Sequence, residues 1–274
     1  MAERCAERAE ADGGIVDWRF LGRSSEAYYL CLPLVRDALA PLLVCVHGIS
    51  RNAEEHIRHF APLAQRCGIA VAAPLFQECE FPDYQRLGRS GRGRRADRAL
   101  NEMLAELRAN AGVDAERIYL FGHSGGGQFV HRYMMANPER VARFVVSAAG
   151  WYTYPDSGRA FPLGIAPDPL LPDVTFDPDA FLRVCGTILV GEGDIGRSRS
   201  LRTGPVVDAD QGRNRIERAR RWVEAMNDEA IRRGLPPPLD LIVLPAAGHR
   251  FIDMATRGGV AERAFQCLFG TEAA

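Results

Sequence analysis

The residues most able to do chemistry here are a glycine-flanked serine and the histidines and acids that could serve it. In YLFGHSGGGQF, the run Gly122-His123-Ser124-Gly125-Gly126 fits G-x-S-x-G, with a β-type run before it and a helical segment after it. A strand turning sharply into a helix holds the central serine in a strained backbone conformation, with its hydroxyl raised above the sheet. Side chains two positions before and after would collide, which accounts for the glycines. A serine hydroxyl is a weak nucleophile and needs a base that a third group holds in place. Of six histidines, His249 follows the last strand-like run, in LIVLPAAGHRF, and is the candidate base. His47 and His123 belong to motifs of their own. His56, His59 and His131 lie on helical segments, where a packed or solvated ring is the plain reading. The acid is expected between serine and histidine. TILVGEGD supplies Asp194 just past a strand end, with Asp210 and Glu192 in reserve. Acyl transfer also needs donors where negative charge develops on the former carbonyl oxygen. Gly125 N–H directly follows the serine, and Ile49 N–H sits in HGIS after PLLVCVH.

Those residues need elements to position them. Strand-like runs at 15–21, 27–34, 41–47, 69–75, 117–122, 144–149, 186–191 and 239–244 alternate, from 41 on, with helical segments. The helices are expected over 52–67, 95–111, 126–137, 213–234 and 260–269. Strands alternating with helices imply right-handed crossovers and a mostly parallel sheet covered on both faces, an α/β fold. Three long segments break the alternation: Arg86–Arg95, Trp151–Leu182 and Gly193–Gln211. Each leaves the carboxyl edge of the sheet, where open parallel sheets build their ligand crevice. Residues 1–14 are polar and read as a disordered or frayed N-terminus. Residues 15–270 read as one domain, with a short cap at about 151–183.

Composition removes several classes of function. In 274 residues, 34 basic side chains stand against 35 acidic ones, giving a net charge of −1, so bulk charge does not suggest a nucleic-acid partner. All the basic residues are arginine; without lysine there is neither a Schiff-base lysine nor a P-loop lysine. Seven scattered cysteines without a CxxC pair resemble neither a disulfide framework nor a zinc ribbon. No apolar run approaches the roughly 20 residues of a membrane span, and no signal-peptide pattern is visible, which points to the cytoplasm. The cap acids Asp168, Asp173, Asp177 and Asp179 lack calcium-loop spacing, so no metal and no cofactor are expected.

The pieces VHGIS, GHSGG, GEGD and AAGH, in that order from residue 15 to 269, resemble the α/β-hydrolase superfamily. That resemblance implies an eight-stranded, mostly parallel sheet with its second strand antiparallel. It also implies a serine hydrolase acting on a small-molecule carboxylic ester through an acyl-enzyme on Ser124. Within the superfamily the chain looks most like small bacterial esterases related to polyhydroxybutyrate depolymerases and dienelactone hydrolases. Serine at the elbow separates it from members with cysteine or aspartate there. A thioesterase, peptidase or acyltransferase would use the same residues, and a non-catalytic ligand receptor could keep the scaffold.

For the substrate, Trp151 and Tyr152 follow a strand end and could wall a pocket, or equally plug the cap onto the core; Tyr84 lies near the same edge. Arg86, Arg89, Arg92, Arg94 and Arg95 could clamp an anion, although a solvated loop is the simpler reading. Either a monomer or a homodimer fits the composition.

Overall fold

The computed structural model describes residues 2–11, 14–23, 26–34, 39–198 and 200–270, with side chains from residue 27 onward. Nine strands among these residues form one sheet in the order β1-β2-β3-β5-β4-β6-β7-β8-β9. They are β1 (Ala2–Ala11), β2 (Gly14–Arg23), β3 (Glu26–Cys31), β4 (Ala40–Val46), β5 (Ala70–Leu75), β6 (Val113–His123), β7 (Val141–Ser147), β8 (Gly186–Gly191) and β9 (Leu239–Leu244). The first three pair antiparallel, and β3 pairs antiparallel with β5; β4 to β9 are joined in parallel.

The sheet therefore has one strand more than the eight expected. The addition is β1, inside the stretch read from its polarity as a disordered or frayed N-terminus; residues 1, 12 and 13 of that stretch lie outside the described residues. Cross-strand pairing with β2 supplies the backbone bonds that an Ala/Glu-rich sequence does not advertise by alternation.

Helices α1 (Ala53–Arg66), α2 (Ala96–Asn110), α3 (Gly125–Ala136), α4 (Pro178–Phe181), α5 (Pro205–Gln211), α6 (Arg215–Arg232), α7 (Phe251–Thr256) and α8 (Val260–Phe269) flank the sheet. The continuous apolar run of β4 is explained by burial on both faces. Leu42, Val44 and Val46 join the cluster under α2, α3 and α6, whereas Leu43 and Cys45 join the one under α1, α7 and α8. Period-two alternation splits one sequence between two cores. The cap is mostly irregular, apart from α4. Asp177 caps that helix, accepting from Asp179 N–H, with proline at the first helical position as the sequence suggests. The region expected to be irregular before α6 contains α5. No helix among the described residues is long and apolar enough to cross a membrane.

Candidate active site

Ser124 stands between β6 and α3 with φ 54° and ψ −110°, a conformation that side chains rarely adopt. Its N–H donates to the Ser147 carbonyl of β7 at 2.7 Å, and its own carbonyl accepts from Gln128 N–H at 3.1 Å. The bend is thus pinned to the neighbouring strand and to the helix. The glycines have a steric reason. A Cβ on Gly126 would lie 2.0 Å from the Val46 carbonyl oxygen, and one on Gly122 would lie 2.4 Å from that of Gly126.

Three residues far apart in the chain meet at this bend. Ser124 Oγ is 3.2 Å from His249 Nε2, and His249 Nδ1 is 2.8 Å from Asp194 Oδ2. An ionised carboxylate only accepts, so Nδ1–H donates to Asp194 and Nε2 is left to accept from the serine hydroxyl. Asp194, rather than either reserve, is the residue brought to His249. Asp210 is paired with Arg159 at 2.8 Å, and Glu192 accepts from Ala246 N–H at 3.4 Å.

Sequence reasoning missed the group behind Asp194. The second carboxylate oxygen accepts from Arg215 Nη1 at 3.0 Å, and Arg215 Nη2 donates to Ser200 Oγ at 2.9 Å. Arg215 and Asp194 are both buried. Burial lowers the proton affinity of the guanidinium, and the Asp194 carboxylate opposes that shift. The only available signal was helical phase: Arg215 and Arg218, three apart, both turn inward on a helix whose other arginines read as solvated.

The loop after β4 is held just as closely. His47 Nε2 accepts from Phe76 N–H at 3.0 Å, so its Nδ1–H donates to the Gly48 carbonyl at 2.8 Å. Tyr84 hydroxyl donates to the His47 carbonyl at 2.9 Å. This loop brings Ile49 against the start of α3: a Cβ on Gly125 would sit 3.2 Å from Ile49 N and 2.6 Å from the Tyr84 hydroxyl. A side chain at 125 would fill the space between them.

A cleft of about 290 Å³ opens over the serine, lined among others by Gly48, Ile49, His56, Ser124, Ser200 and His249. Trp151, Tyr152 and Tyr84, expected at its wall, are not among the lining residues. Tyr152 stacks on Trp222 with centroids 4.7 Å apart and exchanges backbone bonds with the Gln211 amide, so it plugs the core. Tyr84 is buried behind the Ile49 loop. Trp151 is buried beneath the guanidiniums of Arg86, Arg132 and Arg202. The expected anion clamp is largely consumed by the protein itself. Arg89 forms a bidentate pair with Asp83, Arg94 reaches Glu80 and Glu102, and Arg95 pairs with Asp97 and Asp173. The six cysteines with described side chains are free thiols, Cys31 and Cys45 buried in the core; Cys5 lies outside the described side chains. No group of three or more metal-ligating side chains occurs among the described residues.

The buried histidines carry a pH consequence. Burial lowers His47 to about 4, and burial likewise holds His56, His123 and His131 well below the ordinary value of 6.5. The unfolded chain takes up these protons near pH 6.5 while the folded chain does not, so stability falls as pH drops below 6.5. For His47 alone the loss by pH 5 is about 2 kcal/mol. His56 stacks on Phe251 at 4.0 Å, and its Nδ1 has no partner. His56→Phe is therefore expected to reduce the acid-side slope of unfolding free energy by about 1.4 kcal/mol per pH unit. Denaturant titrations at pH 7, 6 and 5 measure it, and an unchanged slope would contradict the buried-neutral assignment.

With an elbow serine, a histidine, an acid and a mostly parallel sheet in this topology, the chain belongs to the alpha/beta hydrolase fold family, which it matches over residues 41–187. Its similarities are to esterase-like members. A poly(3-hydroxybutyrate) depolymerase from Bordetella parapertussis shares 29% identity at a TM-score of 0.72, over 91% of this chain and 83% of that one. A poly(aspartic acid) hydrolase-1 from Sphingomonas sp. KT-1 has a TM-score of 0.73 at 23% identity, over 95% and 98% of the two chains. An S-formylglutathione hydrolase from Agrobacterium tumefaciens has a TM-score of 0.60 at 16% identity, over 96% and 98%. The last two likenesses speak for the fold alone. No curated protein matches the sequence.

Proposed function

We propose that this protein is a cofactor-independent serine hydrolase that cleaves a small-molecule carboxylic ester through an acyl-enzyme on Ser124. The observation carrying the reading is the unbroken chain from Ser124 Oγ through His249 to Asp194, at 3.2 and 2.8 Å, at the floor of an open cleft. The 29% identical poly(3-hydroxybutyrate) depolymerase supports an ester as the substrate class.

In the first half-reaction His249 Nε2 takes the serine proton as Oγ bonds to the ester carbonyl carbon. The resulting oxyanion is stabilised by Ile49 N–H and Gly125 N–H. His249 then returns the proton to the leaving alcohol, the carbon–oxygen bond breaks, and the acyl group stays on Ser124. In the second half-reaction His249 takes a proton from water, hydroxide oxygen bonds to the acyl carbon, and Ser124 leaves reprotonated. Asp194 remains ionised throughout and stabilises the imidazolium. Ester, thioester and amide share this path, so the leaving group is read from a substrate panel.

Incubation with a fluorophosphonate is expected to add one phosphonyl mass to the intact protein, on the peptide holding Ser124. Short p-nitrophenyl esters are expected to turn over faster than matched acyl thioesters or aminoacyl anilides. An unlabelled protein would favour a ligand receptor on a hydrolase scaffold, and a reversed substrate order would replace the ester reading.

A further inference from the structure

Three arginines near the site, Arg132 buried, Arg86 half-buried and Arg202 exposed, lack the acid partner that other inward-turned arginines here have. Arg215 pairs with Asp194, Arg218 with Asp208 and Arg95 with Asp97. Arg86, Arg132 and Arg202 instead converge on the Trp151 ring, their guanidinium carbons 5.3, 4.1 and 4.8 Å from its centroid. No carboxylate among the described residues lies within ion-pairing distance of any of the three. The acid nearest in its influence on Arg86 is Asp83, which is committed to a bidentate pair with Arg89.

Arg132 is fully buried. Its Nε donates to Thr153 Oγ1 at 2.9 Å and its Nη1 to the Gln85 and Gln128 carbonyls at 2.5 and 3.4 Å, but Nη2 has no partner. Arg86 Nε is also buried without a partner. Cation–π attraction to Trp151 holds the guanidiniums but satisfies none of these donors. Burying the Arg132 charge beside the half-buried Arg86 without a counter-ion is costly, and an arginine fork is matched by a planar, bidentate oxyanion. Burial, and after it the neighbouring Arg86 and Arg202 charges, lower the proton affinity of Arg132.

The cluster stands off from Ser124 at the same end of the sheet, outside the residues that line the cleft. Ser124 and Arg132 are separated by eight residues along α3, about 12 Å of helix axis. The arginine reaches back to the Gln128 carbonyl, one turn from Ser124. On the other side Ser200 lines the cleft, and its carbonyl lies 3.9 Å from where a Cβ on Gly150, next to Trp151, would stand. Arg202, exposed, is two residues further along.

We propose that Arg86, Arg132 and Arg202, gathered on Trp151, form an anion subsite that binds a carboxylate of the substrate at a distance from the scissile ester. This rests on Ser124 being the nucleophile. The substrate class is then the half-ester of a dicarboxylic acid, or an oligomer whose repeat carries free carboxylates, rather than a neutral ester.

The test compares the mono-p-nitrophenyl ester of suberic acid with its methyl-capped neutral analogue. The free acid is expected to show about tenfold higher kcat/KM, mostly through KM, and the ratio is expected to decline with added sodium chloride. In the Arg86→Gln/Arg202→Gln double variant, both sites being at the accessible side of the cluster, the ratio falls to near one. A binding readout independent of turnover uses the Ser124→Ala protein: free suberate raises its Tm, dimethyl suberate does not, and adding the double variant removes the shift. A ratio near one in the native protein, together with no suberate-specific Tm shift, overturns the subsite. Inorganic phosphate raising the Tm while suberate does not would also overturn it, as a site for free anions. If the neutral ester is hydrolysed equally well after Ser124→Ala, the nucleophile assignment fails; the suberate Tm shift then decides the subsite separately.

Discussion

Ser124→Ala is expected to lower ester kcat/KM by a factor on the order of 10⁵ and to abolish fluorophosphonate labelling, with little change in Tm. The magnitude follows from what the variant removes. Without Oγ there is no covalent route, and His249 faces a methyl group in place of the hydroxyl 3.2 Å away. The N–H donors and the cleft remain, so turnover should stay measurably above the uncatalysed rate. The fold should persist, because the elbow is held by backbone bonds from Ser124 N–H to Ser147 and from Gln128 N–H to Ser124, which alanine keeps. Alanine also inherits the positive φ, so no strain is relieved. Labelling by intact mass, initial rates on a p-nitrophenyl ester and a melting curve check all three statements. Retained labelling or retained turnover would remove Ser124 from the mechanism.

The second large effect is expected behind the acid. Arg215→Met keeps an unbranched apolar stem and removes the guanidinium that meets Asp194 Oδ1 at 3.0 Å in a buried pair. Breaking one partner of such a pair typically costs about 3–5 kcal/mol, because the other charge is left uncompensated. Activity should drop as well. Asp194 would be held only by His249, and a loosened carboxylate lets the imidazole drift from the serine, a displacement worth about 100-fold in rate. A purely structural role would lower stability alone. A positioning role also moves the acid limb of the kcat/KM–pH profile upward, since Asp194 freed of its cation favours the imidazolium more strongly. Arg215→Lys, which keeps the charge, should restore part of the limb's position. Denaturant unfolding and a pH–rate profile from pH 5 to 9 separate the two roles. A profile that does not move would leave Arg215 as packing only.

How far the sequence could be read depended on whether a residue's role is set locally. GHSGG was legible because strand, bend and helix all follow from the same eleven residues, and the glycines answer to backbone atoms at 2.0 and 2.4 Å. Asp194 and His249 were legible because each lies in the loop leaving the carboxyl end of a parallel strand, and such strand ends converge on one edge. Arg215 was not. It is one of many arginines on α6, and which of them points inward depends on the helix's rotation against β8 and β9, a tertiary quantity. Tyr152 misled for the opposite reason: an aromatic after a strand end suits a pocket wall and a core plug equally, and Trp222, seventy residues away, decides for the plug. The loop arginines divide the same way, with acids at 80, 83, 97, 102 and 173 absorbing Arg89, Arg94 and Arg95 and leaving Arg86 turned inward. β1 escaped notice because its composition has none of the β-branched or aromatic residues that mark a strand.

The excursion between β7 and β8 is fastened from its own side. Trp222 Nε1 donates to the Thr153 carbonyl at 2.7 Å, Thr153 N–H donates to His131 Nε2 at 3.1 Å, and Thr153 Oγ1 donates to the Pro162 carbonyl at 2.7 Å. None of these bonds passes through Ser124, His249 or Asp194. Anchorage of the excursion and geometry of the elbow therefore rest on separate sets of hydrogen bonds, and a change in one need not disturb the other.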